Sequence, residues 1–154
     1  MQKRGLRFLI PNDYGSFLSE ILEPTQCCKY NWSIDNDEIH LIIDGVLTDN
    51  WLFTETVVKG SEFSRWIGDN TYYVVFAELK AFPTESPVTS ISSYNEFLTS
   101  KCEIMLLIYD CIYVDIYCKD QVLLERLFKN VYHKGYGDVR YIDEDDVRTK
   151  ISVF

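Results

Sequence analysis

The sequence predicts one α+β domain over residues 1–154, a mainly antiparallel sheet with helices packed on one side of it. The length is that of a typical domain. Hydrophobic residues make up 47% and charged residues 25%, the usual balance for a globular chain with its own core. Short apolar segments with strand character alternate with short amphipathic ones, so both element types must share that core.

The first 24 residues predict a strand and a helix. Residues 4–10 have the composition of a short strand. Asn12 or Asp13 can cap a helix that Pro24 ends. The apolar positions of that helix follow i, i+3, i+4 spacing; they are Tyr14, Phe17, Leu18, Ile21 and Leu22.

The next segment predicts a hairpin and a second helix. Strands 26–34 and 38–43 are expected to join through the turn-forming sequence 35–37, Asp-Asn-Asp. Residues 46–59 fit either strand or loop. Residues 61–67, which begin with a serine cap and precede a glycine, predict a short helix.

The clearest strand is 71–82, whose first half is apolar on both faces, as in a central strand. After a surface loop, Ser93 and Glu96 form a capping box. The helix that the box begins is expected to bury three side chains, Tyr94, Phe97 and Leu98.

Residues 103–109 and 112–118 predict a tight hairpin inside the sheet, broken at Asp110. Alternation in the second strand places Tyr113, Asp115 and Tyr117 outward. The residues expected to be among the most buried are Ile104, Leu106, Ile112, Val114 and Ile116.

Asp120 caps the strongest predicted helix, and Gly135 closes it. Strands at 138–142 and 147–154 are expected to follow. The order from residue 71 is then β-α-β-β-α-β, which matches the ferredoxin-like pattern. The apolar stripe of the helix is Leu123, Leu124, Leu127, Phe128, Val131 and Tyr132.

The first helices of the two halves share the pattern Tyr-x-x-Phe-Leu, beginning at Tyr14 and at Tyr94. A tandem duplication explains this pattern, and so does chance similarity between short amphipathic helices. No linker separates the halves, so they are expected to share one core in either case.

Charge and cysteine content indicate a cellular setting. The net charge of −9 and pI of about 4.6 disfavour nucleic acid and anionic membranes as partners. Only residues 8–10 form an apolar run after the basic N-terminus, too short for a secretory signal. Five cysteines, two of them adjacent and none in a CxxC pair, are expected to be reduced. These features predict a soluble, cytoplasmic protein.

The sequence shows no catalytic signature. His40 lies in a predicted strand and His133 in the last turn of a predicted helix, where each has a structural explanation. Residues 35–40 offer four potential metal ligands, but Asp-Asn-Asp is also typical of a hairpin turn, which we favour. Glycine-rich phosphate loops are absent. We therefore expect no metal and no cofactor.

Four segments resemble a family of small uncharacterised proteins from Bacillus-like bacteria, a domain of unknown function. They are RFLIPNDYGSFL, YYVVFAELKAFP, LIYDCIYVDIYCKD and RTKISVF, which together span nearly the whole chain. The resemblance implies a bacterial source and a cytoplasmic setting, and it carries no activity or site residues.

Our leading hypothesis is a non-catalytic protein-interaction module, an accessory factor or one like the immunity and antitoxin proteins that neutralise a basic partner. Alternatives are a small hydrolase-type enzyme whose carboxylates and histidine converge only in the fold, and a protein that binds a small ligand on its aromatic-rich sheet. The candidate partner-binding residues form an acid-rich end, opposed within its span only by Arg140; they are Asp138, Asp143, Glu144, Asp145 and Asp146.

Overall fold

The computed structural model describes residues 2–146 and 151–153. The strands are β1 (Gly5–Leu9), β2 (Tyr30–Ile43), β3 (Val46–Trp51), β4 (Val57–Lys59), β5 (Tyr72–Pro83), β6 (Ile104–Tyr109), β7 (Tyr113–Cys118) and β8 (Gly137–Ile142). The helices are α1 (Phe17–Ile21), α2 (Gly60–Asp69), α3 (Tyr94–Thr99) and α4 (Gln121–His133), with a 3₁₀ turn at Cys27–Lys29.

All described strands belong to one sheet in the order β3-β2-β5-β6-β7-β1-β8, and β4 pairs with β2 beside β3. Every pairing is antiparallel, which confirms the predicted α+β class. The order β-α-β-β-α-β in the second half is also confirmed. However, β5 and β6, which α3 connects, are direct antiparallel neighbours, whereas in a ferredoxin-like sheet another strand lies between the two strands of each β-α-β unit. Strand β1 inserts between β7 and β8, which merges the two halves into one unit.

The predicted hairpin at 26–43 is wrong, because β2 is one continuous strand of 14 residues. Its pairing with β5 runs from Tyr30 opposite Pro83 to Leu41 opposite Tyr72. The Asp-Asn-Asp segment lies where this register shifts, so it forms a bulge rather than a turn. The hairpin turn is Asp44-Gly45, with φ of +53° and +77°, as a type I′ turn requires.

The other elements of the first half differ from prediction mainly at their boundaries. The ambiguous segment 46–59 contains two strands, β3 and β4. Helix α1 starts only at Phe17, and Gly15 pairs instead with Tyr72 in an isolated bridge. Helix α2 begins at Gly60 and has no side-chain cap, so the predicted cap at residue 61 is wrong. Glycine is required at position 60 because a Cβ atom there would collide with the carbonyl oxygens of Cys27 and Tyr30.

The predicted N-caps at Ser93 and Asp120 are confirmed, but the capping box is not complete, because the Glu96 carboxylate accepts the N–H of Ser92 rather than that of Ser93. The Ser93 hydroxyl accepts the Glu96 N–H at 3.2 Å, and the Asp120 carboxylate accepts two N–H groups at the start of α4. The burial predictions fail at the helix margins. Leu98 is 48% exposed and Tyr132 is 64% exposed, since neither helix is covered on that side.

The sheet carries a hydrophobic core on each face. Helices α1, α2 and α4 cover one face, where Trp32 stacks on Phe63 with ring centroids 4.2 Å apart. Helix α3, with residues around Ile91 and Ile151, covers the other face. The expectation that all helices lie on one side is therefore wrong for α3.

Two covered faces explain the burial of the β6–β7 hairpin. Ile104, Leu106, Val114 and Ile116 are fully buried, as predicted. The predicted burial of Ile112 is wrong, because that residue follows a turn in which Asp110 and Cys111 have positive φ. Two residues predicted to face outward, Asp115 and Tyr117, are buried under the second layer.

Two further predictions concern the chain's repeats and its end. Leu18 is fully buried, whereas the corresponding Leu98 of the other Tyr-x-x-Phe-Leu segment is half-exposed. The shared pattern therefore does not reflect a shared packing role.

Residues 151–153 are not in a strand, and the rest of the predicted last strand lies outside the described residues. Within the described chain, every helix is too short or too polar to cross a membrane.

Candidate interaction surface

The predicted acid-rich end lies in β8 and in the turn that follows it. Asp138, Glu144 and Asp145 are exposed, and Asp143 and Asp146 are partly buried. The Asp143 carboxylate accepts the N–H of Asp145 at 2.9 Å, which stabilises the turn. Asp138 lies near the start of β8 and the other four carboxylates follow its end, so the structure does not bring all five together, and not all of them project freely into solvent.

Asp146 belongs to an ion-pair network with Arg7. The guanidinium of Arg7 donates two hydrogen bonds to Asp115, from Nε to Oδ1 at 2.8 Å and from Nη2 to Oδ2 at 3.1 Å. Its Nη2 also donates to Asp146 Oδ2 at 3.3 Å. The hydrogen bond to Asp115, whose side chain is fully buried, raises the pKa of Arg7 further above its ordinary value. Asp146 thus helps fasten the acid-rich end to the sheet.

The basic N-terminal residues lie beside the acid-rich end, because β1 is the neighbour of β8. Lys3 Nζ is 5.4 Å from the ring centroid of Tyr141 in β8. The Arg4 guanidinium is 4.3 Å from the ring centroid of Tyr94, and Arg4 lines a depression with Glu144. The positive charges of Lys3 and Arg4 therefore offset part of the negative potential of the acid-rich end.

A second polar cluster lies where β2 and β5 meet the C-terminal segment. Lys80 is buried, and its Nζ donates to Asp35 Oδ2 at 3.0 Å and to the Ile91 carbonyl at 3.2 Å. The buried Glu78 accepts hydrogen bonds from the Ser152 hydroxyl at 2.7 Å and from the Val153 N–H at 2.8 Å. A groove of about 430 Å³ runs alongside. The hydrogen bond to Ile91 holds the loop between β5 and α3 against the sheet, and the hydrogen bonds from Ser152 and Val153 hold the C-terminal segment there.

Sequence reasoning missed this cluster, although a signal was present. Glu78 and Lys80 interrupt an otherwise apolar strand at i and i+2, so they share one face of β5. Charged residues in a central strand are buried only when they are paired. That pattern could have identified the face as polar.

The histidines and the carboxylates near them do not form a metal centre. His40 Nε2 is 2.9 Å from Glu38 Oε2, and the His40 ring is 5.8 Å from that of Trp51. Asp35 is engaged by Lys80, and burial raises the pKa of Asp37. In the described residues no three His, Cys, Asp or Glu side chains are grouped so that they could hold a metal ion.

The β2–β3 hairpin presents a surface that the sequence analysis did not single out. Between Tyr30 and Val58 there are six carboxylates and no lysine or arginine. The end of the hairpin also exposes large apolar side chains, which is unusual so close to acidic residues. They are Ile43 (45% exposed), Val46 (62%), Leu47 (47%) and Trp51 (41%).

Fold and surface together define a small acidic α+β protein with one antiparallel sheet and acid-rich segments at both ends of its strand order. The chain belongs to the family described as protein of unknown function (DUF2691), whose model matches residues 3–152. It is 41% identical over 152 residues to the uncharacterised protein YncE of Bacillus subtilis (strain 168), covering 97% of this chain and 99% of that protein. No solved structure matches the chain. The predicted resemblance to a Bacillus-type family of unknown function is confirmed.

Proposed function

We propose that this protein is a non-catalytic interaction module of the bacterial cytoplasm that binds a basic partner protein. Its net charge of −9 would attract such a partner and speed the encounter between the two proteins. Aromatic and aliphatic anchors on the same surface would then supply much of the affinity.

One observation carries this proposal: exposed carboxylates at both ends of the sheet that have no ion-pair partner among the described residues. At the β3 end these are Asp44, Asp49 and Glu55. At the β8 end they are Asp138, Glu144 and Asp145. Carboxylates that repel one another cost stability, and a basic partner would relieve this repulsion.

The test is affinity capture from native lysate at low and at high salt, followed by mass spectrometry. We expect a basic protein that is retained at low salt and released as the ionic strength rises, because exposed ion pairs are screened. A variant in which all six carboxylates are replaced by the corresponding amides should no longer capture this basic protein. Recovery of an acidic partner, or of no partner at either salt concentration, would contradict the proposal.

The groove beside Lys80 favours a second candidate, binding of a small polar ligand. Its volume of about 430 Å³ falls within the range of ligand sites, and polar residues that include Ser33, Ser90 and Ser92 line it. However, Lys80 and Glu78 already have internal partners, so a ligand would have to displace these contacts. A screen of sugars and amino acids for thermal stabilisation, with Lys80→Met as the control, tests this candidate.

A further inference from the structure

We infer that the β3 edge of the β2–β3 hairpin is the docking surface, and that its occupant is an extended, basic segment of the partner protein. This inference rests on the proposed function and names the surface and the kind of segment involved. It follows from three features of the hairpin: its backbone, its apolar side chains and its charge.

At the start of β3, the backbone N–H and C=O groups of Leu47 are oriented so that they could form hydrogen bonds with an added strand. Leu47 lies opposite Ile42, and the Ile42 N–H donates to the Thr71 carbonyl on the far side of β2, at 2.9 Å. In an antiparallel pair both backbone groups of a residue point to the same side, so those of Leu47 point away from β2. An extended segment can therefore pair with the edge at this position.

The exposed apolar side chains lie on both faces of the hairpin. Ile43 pairs with Val46 on one face, and Leu47 and Trp51 lie on the other. A partner resting on a single face would leave half of these side chains in water. An added strand would cover both sets, because its own side chains alternate between the two faces.

Charge complementarity decides which segment fits. Asp44 in the turn and Asp49 in β3 flank Leu47 along the chain, Glu55 follows β3 in the loop before β4, and the hairpin itself has no lysine or arginine to neutralise these carboxylates. A second copy of this chain would bring the same carboxylates together, which disfavours self-pairing. A segment in which pairs of basic residues alternate with pairs of apolar residues places both kinds on each face, so it satisfies both the charge and the two faces.

The experiment uses a capped eight-residue peptide in which pairs of lysines alternate with pairs of valines, so that each face of the extended peptide carries both; it is titrated into the ¹⁵N-labelled full-length protein. We expect the amide signals of residues 42–50 to shift. A lysine–serine peptide should bind more weakly because it lacks the apolar side chains, and a glutamate–valine peptide should not bind.

Two matched triple variants locate the site, since each removes three exposed carboxylates. The variant Asp44→Asn, Asp49→Asn, Glu55→Gln should weaken binding of the lysine–valine peptide about tenfold at low salt. The variant Asp138→Asn, Glu144→Gln, Asp145→Asn should change it less than about twofold, an effect of long-range charge only.

Several results would overturn this inference. They are shifts confined to residues 137–146, equal binding of the lysine–valine and lysine–serine peptides, or a concentration-dependent dimer whose formation shifts the amide signals of residues 42–50. If a basic partner is captured from lysate but the hairpin variant retains it, only the docking surface is wrong. If no basic partner is captured and the lysine–valine peptide does not bind, the proposed function fails as well.

Discussion

Replacing Arg7 with methionine should destabilise the protein by about 3 kcal/mol. The substitution removes both hydrogen bonds to Asp115, whose side chain is fully buried, and the ion pair to Asp146. Removing one partner of a buried ion pair costs about 3–5 kcal/mol, because the other charge stays desolvated. We expect the lower end of that range since the Arg7 side chain is itself 28% exposed.

Urea denaturation followed by tryptophan fluorescence measures this loss, because Trp32 is fully buried in the folded state. The control is Lys129→Met, which breaks a surface pair with Glu125 whose side chains are 66% and 58% exposed. That variant should lie within about 0.5 kcal/mol of the wild type.

A double variant separates the ion pair from simple loss of packing. Combining Arg7→Met with Asp115→Leu removes the buried charge together with its partner, so it should cost less than the sum of the two single substitutions. A loss below about 1 kcal/mol for Arg7→Met alone, or strict additivity in the double variant, would refute the reasoning.

Three other predictions follow from packing and ionisation. Gly60→Ala should destabilise the protein by about 1–3 kcal/mol, because the new methyl group meets backbone oxygens. Gly68→Ala should stabilise it by about 0.5–1 kcal/mol, because the nearest atom to the new methyl group is 3.5 Å away, an ordinary contact distance. Thermal melts of the two variants and the wild type measure both effects. The Tyr72 hydroxyl donates to the Ile67 carbonyl at 2.8 Å, and burial raises its pKa above the ordinary value of 10. Above pH 10 the Tyr72 hydroxyl therefore ionises in the unfolded chain before it does so in the folded protein, and the free energy of unfolding falls as pH rises. Tyr72→Phe should cost about 1–2 kcal/mol at neutral pH and should reduce this alkaline loss of stability, which urea titrations at several pH values measure. Thiol titration of the native protein should find two fast groups, and denatured, unreduced protein should give five; fewer than five would contradict the prediction that all cysteines are reduced. The fast thiols are the exposed Cys28 and half-buried Cys111, and the slow ones, whose pKa burial raises to about 12, are Cys27, Cys102 and Cys118.

Local signals in the sequence predicted several elements correctly. The caps at Ser93 and Asp120 could be identified because each cap bonds to backbone within three residues of itself. The hairpin at β6 and β7 could be identified because its strands are apolar and adjacent in the chain.

Strand β2 shows where local signals fail. The segment Asp-Asn-Asp has the composition of a turn, but β5 pairs with β2 on both sides of it. Pairing with β5 over the whole length of β2 therefore outweighs the local preference for a turn. The partner strand is more than 30 residues away in the sequence, so no short window contains this information.

For the acid-rich end as well, some properties follow from the sequence and others only from the tertiary structure. Its composition determined the number of its carboxylates and its own negative charge, because charge is a property of the residues alone. Only the tertiary structure decided that Arg7, 139 residues away, engages Asp146, while Asp44 and Asp49 have no ion-pair partner in the part of the chain that the structure describes. The physical reason is that β1 lies beside β8 at one end of the sheet, whereas β3 at the other end has no basic strand next to it.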